Sequence, residues 1–299
     1  MKTIAIQHTR NDKVFLFVNT LLLTIFLLIV FYPLWLVVIS SISDPTAVTA
    51  GKVVILPVGF SLKGYAAIAK YPMIMRGFLN SFILLVVGTV SCIIVTLLGG
   101  YPLSRNDLPG KKVIIVMLTF TMYFSGGLIP SFLLMKSLGL INTLAALIIP
   151  GSISVWNMIL VKTYFQTSVP DEIFQAARVD GCTDFGYLLR IGIPLAKPII
   201  AVLSLFTAVG MWNSYFGALI YLNDTDLFPL QLVLRDILVV NATNTTEFAQ
   251  DVESIKRQQE LVALLKYSVI VAASTPLMIM YPFVQKYFVK GILVGSLKG

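Results

Sequence analysis

Residues 78–103 read FLNSFILLVVGTVSCIIVTLLGGYPL and contain no Asp, Glu, Lys, Arg or His. A hydrocarbon core about 30 Å thick is crossed by roughly 20 apolar residues of helix, because each helical residue rises about 1.5 Å. This stretch is therefore long enough and apolar enough to span a bilayer as an α-helix.

Five further stretches have the same character. They lie at about Val14–Ser40, Val113–Met135, Thr143–Val161, Pro198–Leu222 and Tyr267–Val284. Of the 299 residues, 57% are hydrophobic and 12% are charged, whereas soluble domains have about 45–50% and 25%. The sequence predicts an all-α integral membrane protein, with six transmembrane helices in a single permease domain over residues 1–299.

Asp, Glu, Lys, Arg and His are absent from all six stretches as drawn. Such residues inside a membrane mark proton relays and voltage sensors, so we expect the driving force to be supplied elsewhere. A secondary carrier or channel would show buried ionisable residues or internal repeats. A membrane enzyme would show clustered catalytic groups, and the chain has one histidine, His8, in its amino-terminal tail. Both remain as alternatives.

Lys and Arg lie mainly in the connections between the stretches, and the formal net charge is +8. The excess of positive charge on cytoplasmic loops predicts that both termini are cytoplasmic, with large outer loops at about 41–77 and 223–266. The first outer loop is itself basic and goes against this rule. The positive charges form no compact stripe, which favours membrane lipid over nucleic acid as their partner. Cys92 and Cys182 have no metal-ligand spacing, and we expect neither a disulfide nor a metal.

A long inner connection, about residues 166–197, carries its own helix signals. Pro170 and the acidic residues after it favour a helix start, and Gly181 favours the left-handed turn that ends a helix. Thr183 can cap a second short helix, whose apolar stripe is Phe185, Leu188 and Leu189 and which we expect to stop at Pro194. Two interpretations remain open: a helix pair lying flat on lipid, and a knob that docks on a cytoplasmic partner.

At this connection the sequence resembles a known family. Gln175-Ala-Ala-Arg-Val-Asp-Gly181, followed by Ile193-Pro194 and Pro198, is similar to the EAA loop of bacterial ABC importer permeases, whose pattern is Glu-Ala-Ala, three residues, Gly, then Ile-x-Leu-Pro. The resemblance implies the type I ABC importer permease fold, in which this loop forms coupling helices that insert into a cleft of a separate ATPase subunit.

The coupling positions follow from the resemblance alone. They are Gln175, Ala176, Ala177, Asp180 and Gly181. Gln175 stands where the family pattern has Glu, so a salt bridge to the ATPase becomes a neutral hydrogen bond.

Other stretches resemble the carbohydrate-uptake branch, which includes the maltose-type permeases, and within it the LplC/YtcP type, associated with oligosaccharides. They are residues 124–130, 137–140, 211–216, 221–224 and 228–232. The resemblance implies alternating-access import of a carbohydrate; an ABC importer for another cargo is the alternative. The final residues, 287–299, are similar to a tail that reaches between the ATPases in maltose-type permeases. This similarity makes Gly295, Ser296, Lys298 and Gly299 candidate ATPase contacts.

A path for a sugar needs aromatic platforms and neutral hydrogen-bonding groups. The predicted spans contain candidates of this kind, none of them charged, which suits a neutral cargo. They are Tyr123, Ser125, Trp156, Asn157, Trp212, Asn213 and Tyr215. Aromatic belts at the membrane surface and helix–helix contacts are the alternative roles for these residue types.

The chain has no Gly-x4-Gly-Lys-Ser/Thr phosphate loop, so we expect no ATP hydrolysis and no cofactor in this subunit. The resemblance implies a second homologous permease, two ATPase subunits that hold ATP and Mg²⁺, and an extracytoplasmic sugar-binding protein. It also implies a multi-pass protein of the bacterial cell membrane.

Overall fold

The computed structural model describes residues 10–237, 265–282 and 285. Secondary structure within these residues is helical, without strands. The described residues fall into two compact units. The first contains residues 10–70 and 265–272, and the second contains residues 71–237, 273–282 and 285.

The first unit begins with the 32-residue helix α1 (Arg10–Ser41), followed by α2 (Pro45–Thr49) and α3 (Lys63–Lys70). Most of α1 is exposed, and its buried residues are at the carboxyl end, where Ile39 packs with Ala47 of α2. Asp44 caps α2 by accepting hydrogen bonds from the Thr46 backbone and hydroxyl. These bonds stabilise the charged carboxylate and lower the pKa of Asp44.

The second unit has twelve α-helices among its described residues up to 237. They are α4 (Pro72–Ile83), α5 (Thr89–Ser104), α6 (Lys111–Tyr123), α7 (Leu128–Ser137), α8 (Ala145–Gly151), α9 (Val155–Ser168), α10 (Asp171–Val179), α11 (Asp184–Tyr187), α12 (Ile193–Leu195), α13 (Lys197–Trp212), α14 (Phe216–Tyr221) and α15 (Leu230–Arg235). A π-helical turn at Leu84–Gly88 joins α4 to α5, and another at Leu188–Gly192 joins α11 to α12. Residues 265–282, near the end of the chain, are also helical.

Three helical segments among the described residues are long and apolar enough to cross a membrane: Arg10–Ser41, Pro72–Ser104 and Ala145–Ser168. The last of these is interrupted at residues 152–154, between α8 and α9. The three segments contain most or all of the first, second and fourth predicted spans. Two bent helix pairs raise the number of candidate spans to five if each pair is one span. The helix at 265–282 covers most of the sixth predicted span, whose last residues lie outside the described part of the chain.

The third predicted span, Val113–Met135, is not one straight helix. Its two halves, α6 and α7, are bent by 112°. The break lies at residues 124–127, where Gly127 has a φ of +87°, a backbone conformation that an α-helix does not contain. Glycine therefore interrupts an apolar stretch that composition alone predicted to be continuous.

The fifth predicted span, Pro198–Leu222, is also interrupted. Helix α13 ends at Trp212, and α14 begins at Phe216. The Asn213 side chain donates a hydrogen bond to the Val209 carbonyl at 3.0 Å, so it satisfies a carbonyl at the helix end. Before α13, the path bends by 80° from the segment Asp184–Leu195.

Close contacts between helices hold the second unit together. A Cβ added to Gly100 of α5 would lie 2.8 Å from the Met158 carbonyl oxygen of α9, so these two helices pack backbone to backbone. Asn80 of α4 donates to the carbonyls of Asp226 and Phe228 at 2.8 and 3.1 Å. These bonds fasten the segment before α15 to α4.

Candidate functional site

The predicted helix in the inner connection is α10, and local chemistry accounts for both of its ends. Pro170 precedes it in an extended conformation, and Asp171 and Glu172 lie in its first turn, where negative charge complements the helix dipole. At its end, the Cys182 backbone N–H donates to the Ala177 carbonyl at 2.9 Å. Gly181 has a φ of +76°, the left-handed conformation expected from the sequence.

The second helical piece begins with the predicted cap, because the Thr183 hydroxyl accepts a hydrogen bond from the Gly186 N–H at 3.1 Å. The helical path does not stop at Pro194 as predicted but continues through it to Leu195. Pro194 comes just after the π-helical turn at Leu188–Gly192, where the regular hydrogen-bond pattern that proline would interrupt is already broken. We call residues 170–195 the knob.

One face of the knob packs against the chain itself. Phe174 is only 3% exposed, and its ring meets that of Tyr187 edge to face at 5.0 Å between centroids. Tyr187 in turn stacks on Tyr101 of α5, with centroids 6.0 Å apart. Ala177 and Leu188 are buried in the same cluster. The knob is therefore anchored to the end of a candidate membrane span.

The opposite face of α10 is free of such packing. Gln175, Ala176, Val179 and Asp180 are all exposed, and we call these four residues the outer face. Their spacing of one, four and five residues places them on one side of a helix. Gly181, just beyond, is also exposed. Four of the five coupling positions that the resemblance implied are therefore exposed, and the fifth, Ala177, is buried on the packed face.

Val179 was not singled out from the sequence, although it is 88% exposed in the structure. An apolar side chain of this size, exposed on a short helix that belongs to none of the candidate spans, is a candidate contact for a partner. The predicted apolar stripe of the second helical piece is divided in a similar way. Leu188 is buried, whereas Phe185 and Leu189 are exposed.

A group of charged side chains joins the knob to the turn between α5 and α6. The Arg105 guanidinium lies 3.3 Å from the centroid of the Phe174 ring, and its Nη1 is 3.3 Å from Asp171 Oδ1. Arg178 of α10 reaches back to Asp107 of the same turn, also at 3.3 Å. Arg105 and Asp107 were not predicted as functional residues from the sequence. The pattern that could have indicated them is a charged Arg-x-Asp directly after an apolar span.

The residues proposed for a sugar path have different environments. Tyr123 and Ser125 are exposed at the bend between α6 and α7, and Trp156 is exposed on α9. Asn157 follows Trp156 but is partly buried, and its Nδ2 lies 3.8 Å from the Cys92 sulfur of α5. Adjacent residues of α9 therefore face in different directions.

Trp212 is enclosed in the second unit. It is 1% exposed, and its indole N–H donates to the Ala273 carbonyl at 3.0 Å. Asn213 ends α13 through its bond to Val209, and Tyr215 is partly exposed beyond it. Trp212 and Asn213 thus have structural partners of their own. The carboxyl-terminal candidates, Gly295, Ser296, Lys298 and Gly299, lie outside the described residues.

Comparison with known proteins identifies relatives over nearly the whole chain, although no family model matches. The chain is 38% identical over 277 residues to the polygalacturonan/rhamnogalacturonan transport system permease protein YtcP of Bacillus subtilis (strain 168), covering 93% of this chain and 96% of that protein. It is 36% identical over 293 residues to protein LplC of the same organism, covering 98% of each.

A solved structure shares the fold. A chain from the crystal structure of a bacterial ABC transporter involved in the import of the acidic polysaccharide alginate superimposes with a TM-score of 0.86. It has 33% sequence identity, and the match covers 94% of this chain and 99% of that one. Because both sequence and fold agree over almost the full length, the chain belongs to the family of membrane permeases of sugar ABC transport systems.

Proposed function

We propose that this chain is one of two permease subunits of an ABC importer that carries an oligosaccharide into the bacterial cytoplasm by alternating access. The observation that carries the proposal is the full-length match, in sequence and in fold, to permeases of sugar transport systems and to a chain of a polysaccharide importer. In this assembly the chain has six spans and both termini in the cytoplasm. The number six is reached if each bent pair and the helix at 265–282 count as one span beside the three candidate spans.

The knob is the part of the chain that binds an ATPase subunit and moves with it. Its outer face presents the amide of Gln175, the small side chain of Ala176 and the exposed Val179 to the cleft of an ATPase subunit. ATP and Mg²⁺ are held by two such subunits. ATP binding draws the ATPases together, and the knob transmits this motion to the membrane helices.

The lipid-surface interpretation of the knob is less well supported. A helix that lies flat on a membrane needs an apolar face directed toward lipid. Phe174 and Ala177 of α10, with the partly buried Ile173, are already packed against the chain itself, which leaves Val179 as the large apolar side chain of α10 that could face lipid. The exposed acidic residues Glu172 and Asp180 would also be repelled by anionic head groups.

The remaining partners are a second homologous permease and an extracytoplasmic sugar-binding protein that docks on the outer loops. The polysaccharides in the names of the YtcP relative and the alginate importer favour an oligosaccharide as cargo. The uncharged residues of the predicted path suit a neutral sugar, but the alginate importer is described as carrying an acidic polysaccharide. Exposed Lys52, Lys63 and Lys70, in the predicted first outer loop, favour an acidic oligosaccharide as the second candidate.

The test is reconstitution of the permease pair, the ATPase and the binding protein in lipid vesicles. We expect import of labelled oligosaccharide that requires both ATP and the binding protein. Unlabelled neutral and uronate oligosaccharides of equal length are added in turn as competitors of the labelled one. The class that reduces import of the label more strongly is the preferred cargo. Import by this chain alone, or import that continues with an ATPase subunit unable to hydrolyse ATP, would contradict the proposal.

A further inference from the structure

The turn between α5 and α6 is held rigidly from both sides. The Ser104 carbonyl, at the end of α5, accepts hydrogen bonds from the Gln166 amide of α9 at 3.1 Å and from Lys111 Nζ at 3.2 Å. Lys111 Nζ also donates to the Arg105 carbonyl at 2.8 Å. Three hydrogen bonds from two donor groups thus hold the backbone of the turn, and they satisfy carbonyls at a helix end where positive charge is favourable.

Arg105 extends from this fixed turn to α10. Its side chain is 20% exposed, and its planar guanidinium lies over the buried Phe174 ring at 3.3 Å while one nitrogen reaches Asp171. A guanidinium that stacks on a ring and pairs with a carboxylate is restrained in both distance and orientation. Arg105 therefore contacts the inner face and the first turn of α10 at once.

A second contact joins the same two elements further along α10. Arg178, in the last turn, pairs with Asp107 at 3.3 Å. Both side chains are more than half exposed, so solvent weakens this pair. Arg105 Nε lies 3.7 Å from Asp107 Oδ1 and makes no hydrogen bond within the described part of the chain. A shift of about 1 Å would bring this nitrogen into hydrogen-bond range of Asp107.

From this geometry we infer that Arg105 is the positioning residue that transmits motion of α10 to the membrane helix α5. The inference rests on the proposed function, because it assumes that an ATPase moves α10. The outer face receives the motion, the Phe174 ring and Asp171 pass it to Arg105, and the fixed turn passes it to α5 and α9. Without Arg105, only the aromatic contacts and the solvent-exposed Arg178–Asp107 pair join α10 to the rest of the unit, and ATP hydrolysis separates from import.

The experiment measures import and ATP hydrolysis together in vesicles that hold the complete complex. Arg105→Met keeps the apolar stem but removes the charge and the donors. We expect the number of sugar molecules imported per ATP hydrolysed to fall at least fivefold, while basal hydrolysis stays within twofold of the unchanged complex. Arg105→Lys restores the charge without the planar group, and we expect it to recover part of the ratio.

Lys112→Met is the matched control, because Lys112 is an exposed cation close to the same turn. We expect its import per ATP to stay within twofold of the unchanged complex. If Arg105→Met also stays within twofold, the inference is overturned. If the complex with Arg105→Met does not assemble, the test uses Arg105→Lys. The inference is then overturned if the number of sugar molecules imported per ATP hydrolysed equals that of the unchanged complex. A complex of unchanged subunits that imports nothing refutes the proposed function instead, so the two failures are distinguishable.

Discussion

Replacement of Phe174 by alanine tests how the knob is anchored. α10 has nine residues, whereas an isolated helix needs about 12–15 residues for even marginal stability in water. Its stability must therefore come from the packed face. Removing a buried phenylalanine costs about 3–5 kcal/mol, and the Arg105 guanidinium also loses its ring partner. With 1.4 kcal/mol for each factor of ten, a loss of about 3 kcal/mol makes local opening of α10 about 100-fold more frequent.

Hydrogen exchange measures this opening directly. With the protein in lipid nanodiscs, we expect the backbone amides of α10 to lose about 100-fold or more of their protection in Phe174→Ala. Phe185→Ala is the matched control, because Phe185 belongs to the same knob and is 60% exposed. Its truncation should cost less than about 0.5 kcal/mol, which is about twofold in protection. A loss below about fivefold in Phe174→Ala, or an equal loss in both variants, would refute the anchoring.

Three further substitutions test other contacts, with thermal unfolding in detergent as the measurement. Gly181→Ala should destabilise by about 1–2 kcal/mol, because its positive φ is strained for alanine although nothing lies within 4 Å of the new Cβ; a stabilised variant would contradict this. Trp212→Phe removes the indole hydrogen bond to the Ala273 carbonyl and part of a buried ring, so it should cost about 1–3 kcal/mol, whereas Trp156→Phe at an exposed site should cost less; equal shifts of the unfolding temperature in the two variants would count against the role of Trp212. Gly100→Ala forces α5 away from α9 and should lower the unfolding temperature, whereas Gly210→Ala meets no atom within 4 Å and should not; an unchanged Gly100→Ala would disprove the close packing.

Long apolar stretches allowed the positions of the helices to be predicted from composition. Where a stretch was uninterrupted, as at 78–103, the structure has one helical segment without a break, although a π-helical turn at Leu84–Gly88 widens it. At Gly127, at residues 152–154 and at Asn213 the prediction of one helix was wrong. These breaks arise from backbone conformation and from a side chain that bonds to a helix end, and average hydropathy is insensitive to both.

The ends of α10 were predictable because caps and glycine turns depend on near neighbours in the sequence. The orientation of its faces was not. Ala176 and Ala177 are identical in the sequence, yet one is exposed and the other is buried against residues from other helices. Trp212 shows the same limit, because its hydrogen-bond acceptor lies 61 residues away in the chain. Contacts of this kind depend on tertiary packing.

The docking role of α10 is tested most directly by a photo-crosslinking amino acid, benzoylphenylalanine, in place of Val179. The complex is irradiated in membranes that also contain the ATPase and the binding protein. Met117 is the comparison position, because it is exposed on α6 within a candidate span. We expect position 179 to yield an adduct of this chain with the ATPase subunit, and position 117 to yield lipid adducts. Lipid adducts at both positions, with no ATPase adduct at 179, would contradict the account.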